Sequence, residues 1–142
     1  MKLTDEALIT DLGRVYLLMH RRMNRALSAQ GLSLARIKTL LCIRRQQGTA
    51  RAADLADFLD QTPRTVTEML DGLERDGLIT RLPDPDDRRV KRLVLTAQGE
   101  QLVTTTEPLR GRIIHEIFTH FAPEERQGLR RALDRFLGEL AE

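Results

Sequence analysis

Apolar residues recur every three or four positions over most of this chain. Leu8, Leu12, Val15, Met19, Met23, Ala26 and Leu27 make the first such stripe, the mark of an amphipathic helix. Thr4 offers a side-chain cap ahead of it, and Asp5 and Glu6 suit the positive end of a helix dipole. The spacing therefore predicts a first helix over about 5–28. Gly31 ends it, and Ser33 caps a second helix that carries Ile37, Leu40 and Leu41 and stops near Gly48. Residues 49–52 read as a connector or a small strand. Residues 53–60 read as a short helix with Leu55, Ala56 and Leu59 facing inward.

The next stretch changes period. Thr62 caps a fourth helix, and Pro63 stands at its first position, where a missing N–H costs nothing. Val66, Met69, Leu70 and Leu73 form its buried stripe, and Gly77 closes it in a left-handed conformation. From there the pattern alternates. Residues 78–82 and 91–95 predict two paired strands, with Pro83, Asp84, Pro85, Asp86 and Asp87 in the turn between them. Thr96 then caps a long fifth helix marked by Leu102, Leu109, Ile113, Ile114, Ile117, Phe118 and Phe121. Pro108 falls inside it and predicts a bend or break. Pro123 opens a last helix with Glu124 and Glu125 in its first turn and Leu129, Leu133, Phe136, Leu137 and Leu140 on its apolar side.

A capped helix followed at once by a charged β-hairpin is the order of a recognition helix and a wing. The expected fold is mostly α: a winged helix-turn-helix over 33–96 with a small β-wing, flanked by helices at 1–32 and 97–142. On the fourth helix the apolar stripe leaves Arg64, Thr65, Thr67, Glu68 and Asp71 outward or near the N-terminus. The N-terminal half of such a helix enters the major groove. Arg64 suits guanine or phosphate, Thr65 and Thr67 suit phosphate or a thymine methyl, and Thr62 with Pro63 and the open N–H groups makes a phosphate site. On the hairpin, Asp87, Arg88 and Arg89 sit at the tip with Lys91 beside them. An arginine on a projecting hairpin fits a narrow minor groove, where negative potential is enhanced.

Composition narrows the alternatives. At 142 residues and 41% hydrophobic content, one ordinary domain with an aliphatic core is affordable, and a disordered chain is excluded. A single cysteine rules out an internal disulfide or a Cys-rich zinc site, and Cys42 lies in the apolar run of the second helix, as a buried small residue does. His115 and His120 are five apart, the wrong spacing for helical metal ligands. No metal or cofactor is expected. The N-terminus does not read as a signal peptide, and no apolar run approaches the length of a membrane span, so the expected location is cytoplasmic and away from membranes. No Ser-His-Asp set, paired carboxylates, phosphate loop or His-Glu-x-x-His motif is present, so an enzyme is not expected.

Charge is divided. Residues 12–53 hold no acid but carry Arg14, Arg21, Arg22, Arg25, Arg36, Lys38, Arg44, Arg45 and Arg51. Over 48–96 acids outnumber bases. That balance is the best support for a rival reading, a winged-fold protein-binding adaptor that does not touch DNA.

Several short pieces fall in a telling order: Ala53-Asp54-Leu55-Ala56, Thr65-Val66-Thr67, residues 73–81 (LERDGLITR), residues 83–89 (PDPDDRR) and Leu95-Thr96-Ala97-Gln98-Gly99. In that order and spacing the chain resembles the MarR family of bacterial transcriptional regulators over nearly its whole length. The resemblance implies a homodimer made by interlocking N- and C-terminal helices, two winged domains on a palindromic operator of double-stranded DNA, and a repressor that responds to a ligand. It places the family's Asp-x-Arg wing motif on Asp87 and Arg89, sets Arg88 nearer the phosphates, and gives Asp71 the role of pairing with the wing arginine. Glu68 departs from the basic or neutral residue common in relatives; a carboxylate there repels phosphate but accepts from cytosine N4. The resemblance also implies a cleft for a small aromatic or phenolic effector, to which Tyr16, Met19, His20 and Met23 are assigned, with Arg21, Arg22 or Arg25 for its charge. The dimer has a warrant of its own, because the flanking helices carry more Leu, Ile and Phe than a small monomer needs.

Overall fold

The computed structural model describes residues 3–141. Its elements run α1 (Asp5–Ser28), α2 (Leu34–Arg45), α3 (Ala52–Phe58), α4 (Pro63–Arg75), β1 (Ile79–Pro83), β2 (Lys91–Leu95), α5 (Ala97–Phe118) and α6 (Pro123–Leu140). The helix starts follow the caps. Thr4, Ser33 and Thr62 each accept a backbone N–H from three residues on, a contact that stabilises a helix end by about 1 kcal/mol. Gly77, at φ 76°, turns the chain out of α4 toward the hairpin. Over α6, Glu125 accepts the Ala122 N–H and steadies the first turn from the other side.

Two compact units divide at residue 108. In the first, α2, α3, α4 and the hairpin enclose one aliphatic core. Leu40 and Ile43 of α2, Leu55 of α3, Val66, Leu70 and Leu73 of α4, Ile79 and Leu93 of the hairpin, and Val103 of α5 are buried together. Cys42 is half-buried at the edge of this core, as a small apolar residue would be. β1 and β2 pair antiparallel in the register Ile79↔Leu95 to Pro83↔Lys91. Ala50, in the connector read as a possible strand, forms a single bridge to Leu93, whose N–H donates to the Ala50 carbonyl at 2.8 Å. The bridge ties the wing to the segment between α2 and α3.

Two expectations shift. Pro83 ends β1 instead of starting the turn, which an edge strand tolerates because the missing N–H has no ladder bond to make. Of the bend or break expected at Pro108, the break does not occur: α5 is one helix through it, although the proline leaves the Thr104 carbonyl without its usual donor. Of the apolar stripe read on α1, only Leu27 is buried; Leu8, Leu12, Val15 and Met19 stay exposed.

The junction of hairpin and α5 is the tightest point. Thr96 N–H donates to the Leu78 carbonyl at 3.0 Å, the Thr96 hydroxyl donates to the Gly77 carbonyl at 2.6 Å, and the same hydroxyl accepts the Gly99 N–H. A Cβ on Gly99 would stand 2.1 Å from the Leu78 carbonyl oxygen. Backbone cannot yield as a flexible side chain does. Gly99→Ala is therefore expected to lower unfolding free energy by about 3 kcal/mol, read as an earlier urea midpoint; an unchanged midpoint would show that the helix start can slide away from the hairpin at no cost.

Candidate nucleic-acid interface

The exposed side of α4 and the hairpin tip make the site. Thr62, Pro63, Arg64, Thr65, Thr67 and Glu68 all lie exposed along the first turns of α4, opposite Val66 and Leu70. Their polar atoms are largely arranged among themselves. The Thr62 hydroxyl accepts the Thr65 N–H at 3.2 Å and donates to the Thr65 hydroxyl at 2.9 Å. The Thr67 hydroxyl donates to the Pro63 carbonyl. Arg64 Nε faces Glu68 Oε1 at 3.4 Å, with both side chains open to solvent.

The hairpin tip is built on Asp84. Its carboxylate is fully buried, yet no acceptor position is wasted. Oδ1 takes the N–H groups of Asp86 and Asp87 at 2.9 and 3.1 Å, while Oδ2 takes Arg51 Nη2 and Arg92 Nε, each at 3.0 Å. Asp84 N–H in turn closes the loop on the Val90 carbonyl. Asp87 then accepts the Arg89 N–H at 2.9 Å. The result is a turn shaped from inside by carboxylates, with Arg88 and Arg89 exposed at its end and without a carboxylate partner among the described residues. The chain from 81 to 93 and the start of α3 also border a concavity of about 400 Å³ that collects Arg51, Arg81, Arg89 and Lys91.

Asp71 braces the wing through a different arginine from the one expected. It bonds Arg81 Nη2 at 2.8 Å, and Glu74 holds Nη1 of the same guanidinium at 3.1 Å. Arg81 stands on β1, so α4 grips the base of the hairpin and the tip arginine Arg89 stays unengaged. Asp76 is likewise tied, to Arg36 of α2, and that bond holds its carboxyl below the ordinary value. Four of the acids in 48–96, Asp71, Glu74, Asp76 and Asp84, are thus engaged in bracing arginines from other elements, which weakens the support that the acid excess lends to the adaptor reading. Arg51, Arg81, Asp84 and Arg92 are the residues that sequence reasoning missed. Asp84 looked like one more turn residue in an acidic run, and only the spatial meeting of Arg51 with Arg92 distinguishes it.

A second feature lies behind the reading face. A cavity of about 270 Å³ is bordered by His20, Lys38, Thr39, Gln61, Thr65 and Met69, with Ala35 and Leu59 completing the wall. Of the four residues assigned to an effector, only His20 lines it. Tyr16 reaches it indirectly, accepting a bond from Lys38 Nζ at 3.1 Å. Met19 and Met23 do not border it. Among the described residues no group of His, Cys, Asp or Glu could hold a metal ion, and no helix is long and apolar enough to cross a membrane.

The Asp84 cluster has a pH signature. The Asp86 N–H, then the Arg92 guanidinium and the Asp87 N–H, favour the ionised carboxylate and pull its pKa from 3.8 to about 2 against the opposing effect of burial. A depressed folded-state pKa gives stability that is present above the ordinary value and lost as pH falls through the folded one. Wing order should therefore hold at pH 5 and fail between about 4 and 2, followed by amide exchange at residues 84–90. Asp84→Asn should remove that pH dependence and lower the melting midpoint by several degrees at neutral pH; a parent-like midpoint would show that the two arginines do not depend on the charge.

Comparison with known proteins agrees with this geometry. The model of the MarR family matches residues 32–91. The regulator PecS of Dickeya dadantii is 32% identical over 130 residues, which cover 89% of this chain and 78% of PecS. Two Bacillus subtilis regulators match over shorter stretches, and the matched part spans 38% and 42% of their own lengths. Among solved structures, wild-type MarR of Escherichia coli in its apo form superposes with a TM-score of 0.82 at 26% identity, covering 96% of this chain and 98% of that one. The MepR–DNA complex of S. aureus gives a TM-score of 0.76 at 25% identity, over 98% and 100% of the two chains. The sequence match to PecS and the order of helices and wing lead to one conclusion: this chain belongs to the MarR family.

Proposed function

We propose that this protein is a transcriptional repressor that binds a palindromic operator in double-stranded DNA as a homodimer and releases it when a small ligand binds. The observation that carries the reading is the hairpin tip, where two arginines stand open to solvent on a turn held in shape from beneath. Side chains that need a partner only in the complex are left unpaired in its absence. The similar MepR has been solved in complex with DNA, which supports a DNA-binding reading of this fold. Arg89 enters the minor groove, Arg88 and Lys91 meet flanking phosphates, and the start of α4 lies in the major groove.

The dimer rests on apolar surface. Leu8, Leu12, Val15 and Leu18 on α1 are open to solvent, as are Leu129, Phe136, Leu137 and Leu140 on α6. Continuous apolar faces of this kind are covered by a partner in stable proteins, and a second copy of the chain is the partner that gives a twofold reader. Its half-site centres would lie about 34–36 Å apart.

The ligand would occupy the cavity beside His20 and Lys38. A cavity of about 150 Å³ already takes a benzene ring, so 270 Å³ accepts a substituted one. Lys38 supplies the charge that an aromatic carboxylate requires. Thr65 borders both the cavity and the reading face, so a ligand that moves it disturbs α4 where it meets DNA.

Two measurements test the reading. Gel shifts against the DNA upstream of the chain's own gene should give a complex whose affinity falls about 1,000-fold between 50 and 200 mM salt, and Arg89→Ala should weaken it by about 10-fold or more; parent-like binding by that variant would remove the wing from the interface. Calorimetric titration with hydroxybenzoate should give binding that Lys38→Met lowers about 10-fold, while an equal affinity in both would place the ligand elsewhere.

A further inference from the structure

We infer that Glu68 and Arg64 act together as a reader of one C·G base pair in each half-site, with Glu68 taking the cytosine N4–H and Arg64 the guanine edge. The inference rests on the proposed DNA-binding function and adds the base that is read. It follows from the charged heads that α4 leaves open at its first turns. The Thr62, Thr65 and Thr67 hydroxyls bond within the helix start, and Asp71 is tied to Arg81. Arg64 and Glu68 are 90% and 70% exposed and 3.4 Å apart. An exposed pair at that distance is weak, and it leaves most of the guanidinium donors and one carboxylate oxygen unused.

The chemistry of the two heads selects the base pair. A carboxylate only accepts; in the major groove cytosine N4 and adenine N6 both offer a donor, but adenine sets the N7 acceptor beside it, which repels a carboxylate. A guanidinium only donates, and guanine offers O6 and N7 as acceptors. The two edges of a single C·G pair therefore complement the two ends of the Arg64–Glu68 pair. Four residues, about 6 Å along the axis, separate the two, close enough to span one pair or two neighbours at a rise of about 3.4 Å. Thymine in place of cytosine turns its O4 acceptor toward the Glu68 carboxylate and is rejected.

The test is selection from a random duplex library followed by affinity measurement on single-pair variants of the selected site. The parent should select a symmetric motif with one such C·G pair per half-site, and replacing it with T·A should weaken binding about 10-fold per half-site. Glu68→Ala should flatten preference at that pair and leave the other positions as they were. Glu68→Gln should admit adenine, since an amide bonds adenine N6 and N7. Melting curves check that each variant is folded. If the alanine variant keeps the parent's preference at every position, the inference is overturned. It is equally overturned if both variants merely blur the guanine contact with no gain of adenine, because Glu68 would then only steady Arg64. A parent that enriches no motif overturns the proposed function itself, a result that the two variant outcomes cannot mimic.

Discussion

A single buried carboxylate organises the reading surface. Asp84 lies inside the hairpin with four donors on its two oxygens: two N–H groups of its own turn, one arginine from the connector before α3, and one from β2. Removing a charge from water is costly unless every lone pair finds a partner, and here the partners come from three separate stretches of chain. Both arginines satisfy the same oxygen, and among the described residues neither is paired with a second carboxylate. Position of the hairpin tip, and so of Arg88 and Arg89, follows from this cluster.

The same logic explains a charge pattern that looks unsuited to DNA. Nucleic-acid readers need positive charge at the surface, yet the winged region carries more acid than base. The acids are placed where they fix arginines that would otherwise move. Asp71 and Glu74 grip Arg81 at the base of β1, Asp76 holds Arg36 against the end of α4, and Arg44 of α2 meets Glu107 of α5 at 3.0 Å. Each tie crosses between elements, so it fixes one helix or strand against another. At the hairpin tip, by contrast, Arg88 and Arg89 stand exposed without a carboxylate among the described residues. Net charge therefore says little here about binding, whereas the pairing of individual charges says a good deal.

That distinction marks what the sequence could reveal. Helix starts were legible because a cap is local: Thr4, Ser33 and Thr62 bond within their own first turn, and Pro63 and Gly77 restrict the backbone by themselves. Hairpin and helix order were legible from the switch in period after Gly77. The Asp84 cluster was not, because its arginines stand 33 and 8 residues away and no periodicity links them. Asp71 pairs with Arg81 of β1 and not with the tip arginine, a choice that depends on the register of β1 against α4, which no single sequence fixes. The lining of the cavity was only partly legible. Tyr16, Met19, His20 and Met23 share one stretch of α1, yet helical rotation turns only His20 into the cavity, while Lys38 on α2 went unassigned. At Pro108 the helix continues unbroken, since one lost bond within a long helix is outweighed by its neighbours.

The exposed stripes on α1 and α6 carry the last consequence. A periodic apolar face predicts a helix equally well whether its cover lies in the same chain or in another, so the stripe alone could not say which. In α4 the stripe is covered internally and the helix belongs to a closed core. On α1 only Leu27 is covered, and the open surface begins where α2 no longer shields it. If a second copy provides the cover, folding of α1 and α6 is linked to protein concentration. The winged core, already closed, is not. The reading head would then keep its shape in a dissociated chain, while the pairing of two heads, on which a palindromic site depends, would be lost first.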